Sequence, residues 1–242
     1  SLLGTFTGED LVETFAPYFM QDIITDKQLD TEKLRTVLQE LQTIAAHSDL
    51  IEKYKKGERA SNEWDLPSTM QAVLCQISGF NDAMFDLAII NLVKGDYTSF
   101  ENAYIPTVEI GVNANTKQAD LAKEFVAFVM SREVQDGDFY DGFPVNKESL
   151  HMQVNLDRSN YAAYTTIAGA DGQEVGLDIE SIKAADADRL ETICESLSKK
   201  TMQDAKVLEE LKKAVPAYLL GRQSLDDTIS KIQDGVKIYL AE

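Results

Sequence analysis

Histidine and cysteine are nearly absent: two of each stand in a chain of 242 residues. That scarcity excludes much chemistry. His47 and His151 have no second histidine, cysteine or acid at ligand spacing, so no zinc site can be read from them. Cys75 and Cys194 lie far apart, in neither a metal nor a redox spacing. Each sits in an apolar pattern and reads as a buried, reduced thiol, with a long-range disulfide open to it in an oxidising compartment. No Gly-x-Ser-x-Gly elbow, P-loop or Gly-x-Gly-x-x-Gly occurs. The neighbouring acids Asp226 and Asp227, like Glu209 and Glu210, fall at adjacent helical positions and do not converge on one substrate. Asp186-Ala187-Asp188 lacks the glycine and the later glutamate of a calcium loop. The sequence points to no catalytic residue, no metal and no cofactor, and the chain is read as a non-enzyme.

Long apolar runs are missing too, none approaching the ~20 residues of a membrane helix. Basic charge is thin: 23 Lys and Arg against 41 Asp and Glu leave a formal net charge of -18. Nucleic-acid binding needs clustered cations to displace counterions from phosphate, which this scatter does not provide. Anionic membrane surfaces are disfavoured for the same reason. The excess acid favours a soluble monomer. Tryptophan occurs once, Trp64, in the polar run KGERASNEWD over residues 56–65, a surface-loop composition.

What is present is ordinary globular material, 44% hydrophobic and 26% charged, enough for one large domain or two small lobes around a real core. Leu11, Phe15, Phe19 and Ile23 recur at four-residue spacing, with Pro17 expected to kink or split the helix. Leu34, Leu38, Leu41 and Ala45 make a second stripe capped by Asp30 or Thr31, and Leu50, Ile51 and Tyr54 suggest a short third helix ending near Gly57. Towards the end, helices are marked by Ile182, Ala185, Leu190, Ile193 and Leu197, then by Val207, Leu208, Leu211, Val215 and Leu219 with Gly221 as a stop. Leu225, Ile229, Ile232 and Val236 mark the last helix, with Ser224 and Asp227 in capping positions. Ala170-Asp171-Gly172-Gln173 signals a hairpin or loop tip.

The middle of the chain carries strand signals. Residues 73–77, 87–93 and 107–112 are expected to form a small mixed sheet, the second by its length and isoleucines, the third by the alternation of Val108, Ile110 and Val112. A polar turn over residues 113–116 follows, with Asn115 as candidate N-cap and Gln118 at the box position. Leu121, Phe125, Phe128 and Val129 then trace one helical face. Gly142-Phe143-Pro144 forces an extended exit, because the proline pushes Phe143 out of the α region. Between the first two expected strands, Ser78-Gly79-Phe80-Asn81-Asp82 breaks the pattern. It places an aromatic face, an amide and a carboxylate at a strand's carboxyl end, where α/β proteins place ligands. Turn chemistry alone explains the same residues, with Phe80 in the core.

The wording GVNANTKQADLAKEF, then FPVNK, and the ending LLGRQSLDDTISKIQDGVKIYLAE resemble the extracellular solute-binding proteins of bacterial ABC importers, the family that includes the maltodextrin-binding proteins. The resemblance covers most of this chain but only the second half of such proteins, which run to roughly twice this length across two lobes. It implies a periplasmic-binding-protein-like (type II) α/β fold. Residues 1–80 and 145–242 would form the mostly helical carboxyl-terminal lobe, and 81–144 the strands and helix that cross towards an amino-terminal lobe outside this sequence. It implies a small solute, a sugar or oligosaccharide, held by Ser78, Phe80, Asn81 and Asp82 with Trp64 nearby. Further implications are ABC permease subunits as partners and an extracellular location on an amino-terminal lipid anchor. Two alternatives stand beside it: a helical protein-interaction domain without a small-molecule site, and a cationic ligand such as a polyamine or peptide attracted by the acidic surface.

Overall fold

The computed structural model describes residues 4–57, 72, 74–137, 142–168 and 173–242. Its elements follow one another as β1 (Thr5–Thr7), α1 (Gly8–Ile23), β2 (Ile24–Thr25), β3 (Gln28–Leu29), α2 (Thr31–Ala46), β4 (Asp49–Ile51) and α3 (Phe80–Val93). Then come β5 (Ala103–Tyr104), α4 (Ala119–Val129), α5 (Arg132–Gln135), α6 (Lys147–Val154) and a 3₁₀ turn, Ser159–Tyr161. The chain closes with β6 (Ala163–Ala168), β7 (Glu174–Ile179), α7 (Ala184–Ser196), β8 (Lys199–Lys200), α8 (Ala205–Leu219) and α9 (Leu225–Ala241). The architecture is mixed α/β and dominated by helices, as the periodicity predicts. The chain divides into two compact units, Ser1–Leu74 with Lys199–Glu242, and Cys75–Ser198. Residues 145–198, grouped with the terminal helices in the sequence reading, lie in the second unit.

In the first unit α1, α2, α8 and α9 pack around one core, α1 against α2 and α8, and α9 against α8 and α2. The apolar stripes read from the sequence are the buried faces: Leu11, Phe15 and Phe19 of α1, Leu34, Leu38 and Leu41 of α2, Val207, Leu211 and Val215 of α8, Ile229, Ile232 and Val236 of α9. Burying such a side chain is worth about 1.5–3 kcal/mol each. That is why α1 runs unbroken from Gly8 to Ile23 instead of splitting at Pro17: Phe15 and Ala16 before the proline and Phe19 and Met20 after it bury on the same core.

Local cap chemistry sets the helix ends. Asp30 accepts from Glu32 N and Lys33 N, and Ser224 from Asp227 N. Gly221, at φ 69°, ends α8 in a Schellman motif, with Arg222 N bonded to Ala217 O and Gly221 N to Tyr218 O, both at 2.8 Å. β2 and β3 form an antiparallel hairpin whose two turn residues, Asp26 and Lys27, have φ of 51° and 59°, as a type I′ turn requires. The short helix expected at Leu50, Ile51 and Tyr54 is instead β4, parallel to β1 with Phe6 opposite Leu50. Two apolar neighbours are too few to show a period, and the pairing with β1 decides.

The second unit departs furthest from the sequence reading. Residues 87–93 are not a strand but the last half of α3. That helix is apolar on nearly every side, so it carries no 3.6-residue period to read. Residues 74–77 have no regular structure, and Val73 lies outside the described residues. Residues 107–112 form no ladder. The expected sheet is therefore absent among the described residues. The strands that pair with each other inside this unit are β6 and β7, antiparallel with Thr165 opposite Leu177. They flank the predicted turn, whose residues 170–172 lie outside the described residues. α3 lies against β7, and a core of Phe80, Ala83, Leu150, Val154, Ala187 and Leu190 joins α3, α6 and α7, with Ile77, Phe143, Ile182 and Cys194 packed around it.

Candidate functional site

The turn singled out in the sequence, residues 78–82, is the start of α3. Gly79 is its N-cap residue, and the first-turn carboxylate of Asp82 accepts from Ser78 N at 3.1 Å and from the Ser78 hydroxyl. A carboxylate here also suits the positive end of the helix. Ser78 and Asp82 thus satisfy one another. Asn81 and Asp82 are exposed, Ser78 is half-buried, and Phe80 is 5% exposed. Phe80 lies in the core and does not stand as a platform at the surface. Trp64 lies outside the described residues.

What holds Phe80 comes from later in the chain. The Phe143 ring meets it edge-on, centroids 4.9 Å apart at 84°. The Arg158 guanidinium lies over its face, 4.3 Å from the centroid. Gly142 N donates to Ser78 O, so the loop before Pro144 is tied directly to the turn before α3. Gly142 has φ +95°, a conformation that favours glycine, and a Cβ there would come within 3.2 Å of Thr107 Oγ1. Arg158 is buried and donates through Nη2 to Gln153 Oε1 at 2.8 Å and through Nη1 to the Gln153 carbonyl. Gln153 and Arg158 are not singled out in the sequence, where no local pattern marks them, and Phe143 is read there only as an extended residue before Pro144, not as a packing partner of Phe80.

The segment 143–149 is pinned by side-chain hydrogen bonds. Gln135, buried, accepts from Val145 N at 3.0 Å and donates to Val129 O at 2.9 Å. Asn146 caps α6 by accepting from Glu148 N and Ser149 N, and donates to Met130 O at 3.2 Å. Ser149 donates to Asp136 at 2.6 Å, and Arg132 pairs with the same carboxylate at 2.9 Å. Those two hydrogen bonds, the serine's first, hold the Asp136 pKa below its ordinary value. The motif residues in FPVNK therefore serve as local braces.

Two stretches of this unit, residues 108–112 and α4, carry exposed apolar side chains. Val108 is 76% exposed, Leu121 62% and Phe125 60%, with Ile110, Val112, Phe128 and Met130 exposed beside them in sequence. No residue of α4 is buried. The expected cap at Asn115 is not formed: its N–H donates to Asn113 Oδ1, and α4 starts later, after Thr116 Oγ1 accepts from Gln118 N.

Both cysteines are unbridged and half-buried, where the sequence reading has them reduced and mostly buried. Burial and the nearby Glu191 carboxylate push the Cys194 thiol up to about 11, which leaves it a poor nucleophile. Among the described residues no three His, Cys, Asp or Glu side chains cluster as metal ligands. No helix among them is long and apolar enough to cross a membrane. No protein-family model matches the sequence, and a search of curated proteins found no match.

Proposed function

We propose that this chain is the carboxyl-terminal portion of an extracellular solute-binding protein of a bacterial ABC importer. It captures a small solute, a sugar or oligosaccharide, and delivers it to permease subunits from an amino-terminal lipid anchor. The observation that carries this reading is the exposure of the apolar side chains of residues 108–112 and of α4. The alternation of Val108, Ile110 and Val112 is that of a strand with one buried face, and Leu121, Phe125 and Phe128 lie on one helical stripe. Both patterns suit burial, yet in this chain both are exposed. Covering each large side chain would be worth about 1.5–3 kcal/mol. An amino-terminal lobe that pairs with residues 107–112 and lies on α4 accounts for the pattern.

In this reading the solute meets the exposed start of α3. Asn81 offers an amide, and the Ser78–Asp82 pair a hydroxyl and a carboxylate, to sugar hydroxyls, with Phe80 as the buried floor. Closure of two lobes on the solute is a population shift, and the closed form is what the permease meets. The test is a thermal-shift screen of a longer protein that carries the upstream lobe, against sugars, amino acids and polyamines. A solute bound only by the native state raises the melting temperature. Sugars are expected to do so, and Asn81→Ala to cost about 1–3 kcal/mol of affinity while the unliganded melting temperature stays put. A shift with polyamines alone would redirect the proposal to a cationic ligand.

The second reading, a protein-interaction domain, is favoured by one observation: large apolar side chains of residues 108–112 and of α4 are exposed, while Phe80 is buried. It would be supported if the longer protein showed no shift with any solute and α4 amides stayed unprotected from hydrogen exchange until a protein partner was added.

A further inference from the structure

We draw no further inference here: the strongest candidate, the exposed apolar face of residues 108–112 and α4 in the second unit, is the surface on which the proposed function already rests, and nothing in the structure shows another occupant for it.

Discussion

Gly8 and Gly235 both sit where helices of the first unit come close, yet a methyl group would meet a different obstacle at each. At Gly8 an added Cβ lies 2.8 Å from both Cα and Cβ of Pro216, backbone and rigid ring that cannot swing aside. Overpacking of this kind costs about 1–3 kcal/mol. At Gly235 the added Cβ lies 2.5 Å from Oε2, 2.8 Å from Cδ and 2.9 Å from Cγ of Glu210, the outer part of a flexible side chain. Moving it would loosen the Glu210 pairs with Lys206 and Lys213, whose lysine ends are open to solvent although Glu210 is half-buried, so the loss is small beside a clash with backbone. Alanine in mid-helix gains up to about 1 kcal/mol over glycine. Urea unfolding should therefore show Gly8→Ala losing about 1–3 kcal/mol and Gly235→Ala staying within about 0.5 kcal/mol of the parent. Equal losses at both would mean that α8 does not approach α1 as closely as described.

Asp10 carries a pH dependence at the same scale. Its carboxylate accepts from Thr7 N at 2.9 Å, from Thr7 Oγ1 and from the Tyr54 hydroxyl at 2.6 Å. Burial alone would raise its pKa. The hydrogen bonds from Thr7 and Tyr54, with the charge of Lys212, outweigh burial and leave it below the ordinary carboxylate value. The folded state then binds the proton less readily than the unfolded one. The stability this contributes is complete above the unfolded pKa of about 3.9 and is lost as pH falls through the folded value. Asp10→Asn should lower the melting temperature at pH 7 and flatten its fall below about pH 4. A melting curve that tracks the parent in parallel down to pH 2 would refute the assignment.

At the scale of elements, the helices with local punctuation were legible: Asp30, Ser224 and Gly221 act on backbone groups within a turn of themselves, so nothing distant is needed to read them. α3 was not, because its apolar residues surround it and its first turn, Ser78 to Asp82, looks like a break in a strand. The candidate site was legible to the same extent. Its turn residues show in the sequence. The burial of Phe80 does not, since Phe143 and Arg158 reach it from far along the chain. Asn146, not read as a cap in the sequence, caps α6 through its own neighbours but is also bonded across to Met130 O. Asn146→Ala should cost about 1–2 kcal/mol through loss of the cap. Asn146→Asp should keep the cap, lose the amide donor and cost less. Denaturant unfolding that ranks the two the other way would place the importance of Asn146 in the Met130 bond.

For the whole molecule, the alternation over residues 108–112 is a strand pattern without a strand, and the α4 stripe is an amphipathic face without a core. A strand exists only with a neighbour, so a pattern can be read correctly and still produce no ladder in the chain that carries it. The formal charge of -18 opposes self-association as the way to cover this surface. Cover from an amino-terminal lobe of the same protein makes a two-part prediction. In this chain alone, Leu121→Glu and Phe125→Glu replace side chains that are 62% and 60% exposed, and stability should move by no more than about 0.5 kcal/mol. In a longer protein with the upstream lobe, the same changes place a carboxylate in a buried interface, and each should cost at least 2–3 kcal/mol, a figure about the size of an unpaired buried polar group. Melting temperatures of the four variant proteins, each against its own parent, separate the cases. Loss confined to the longer protein supports the covering lobe. Loss in neither means that the face serves something other than its own polypeptide, and loss in both means that α4 is already packed in the shorter chain.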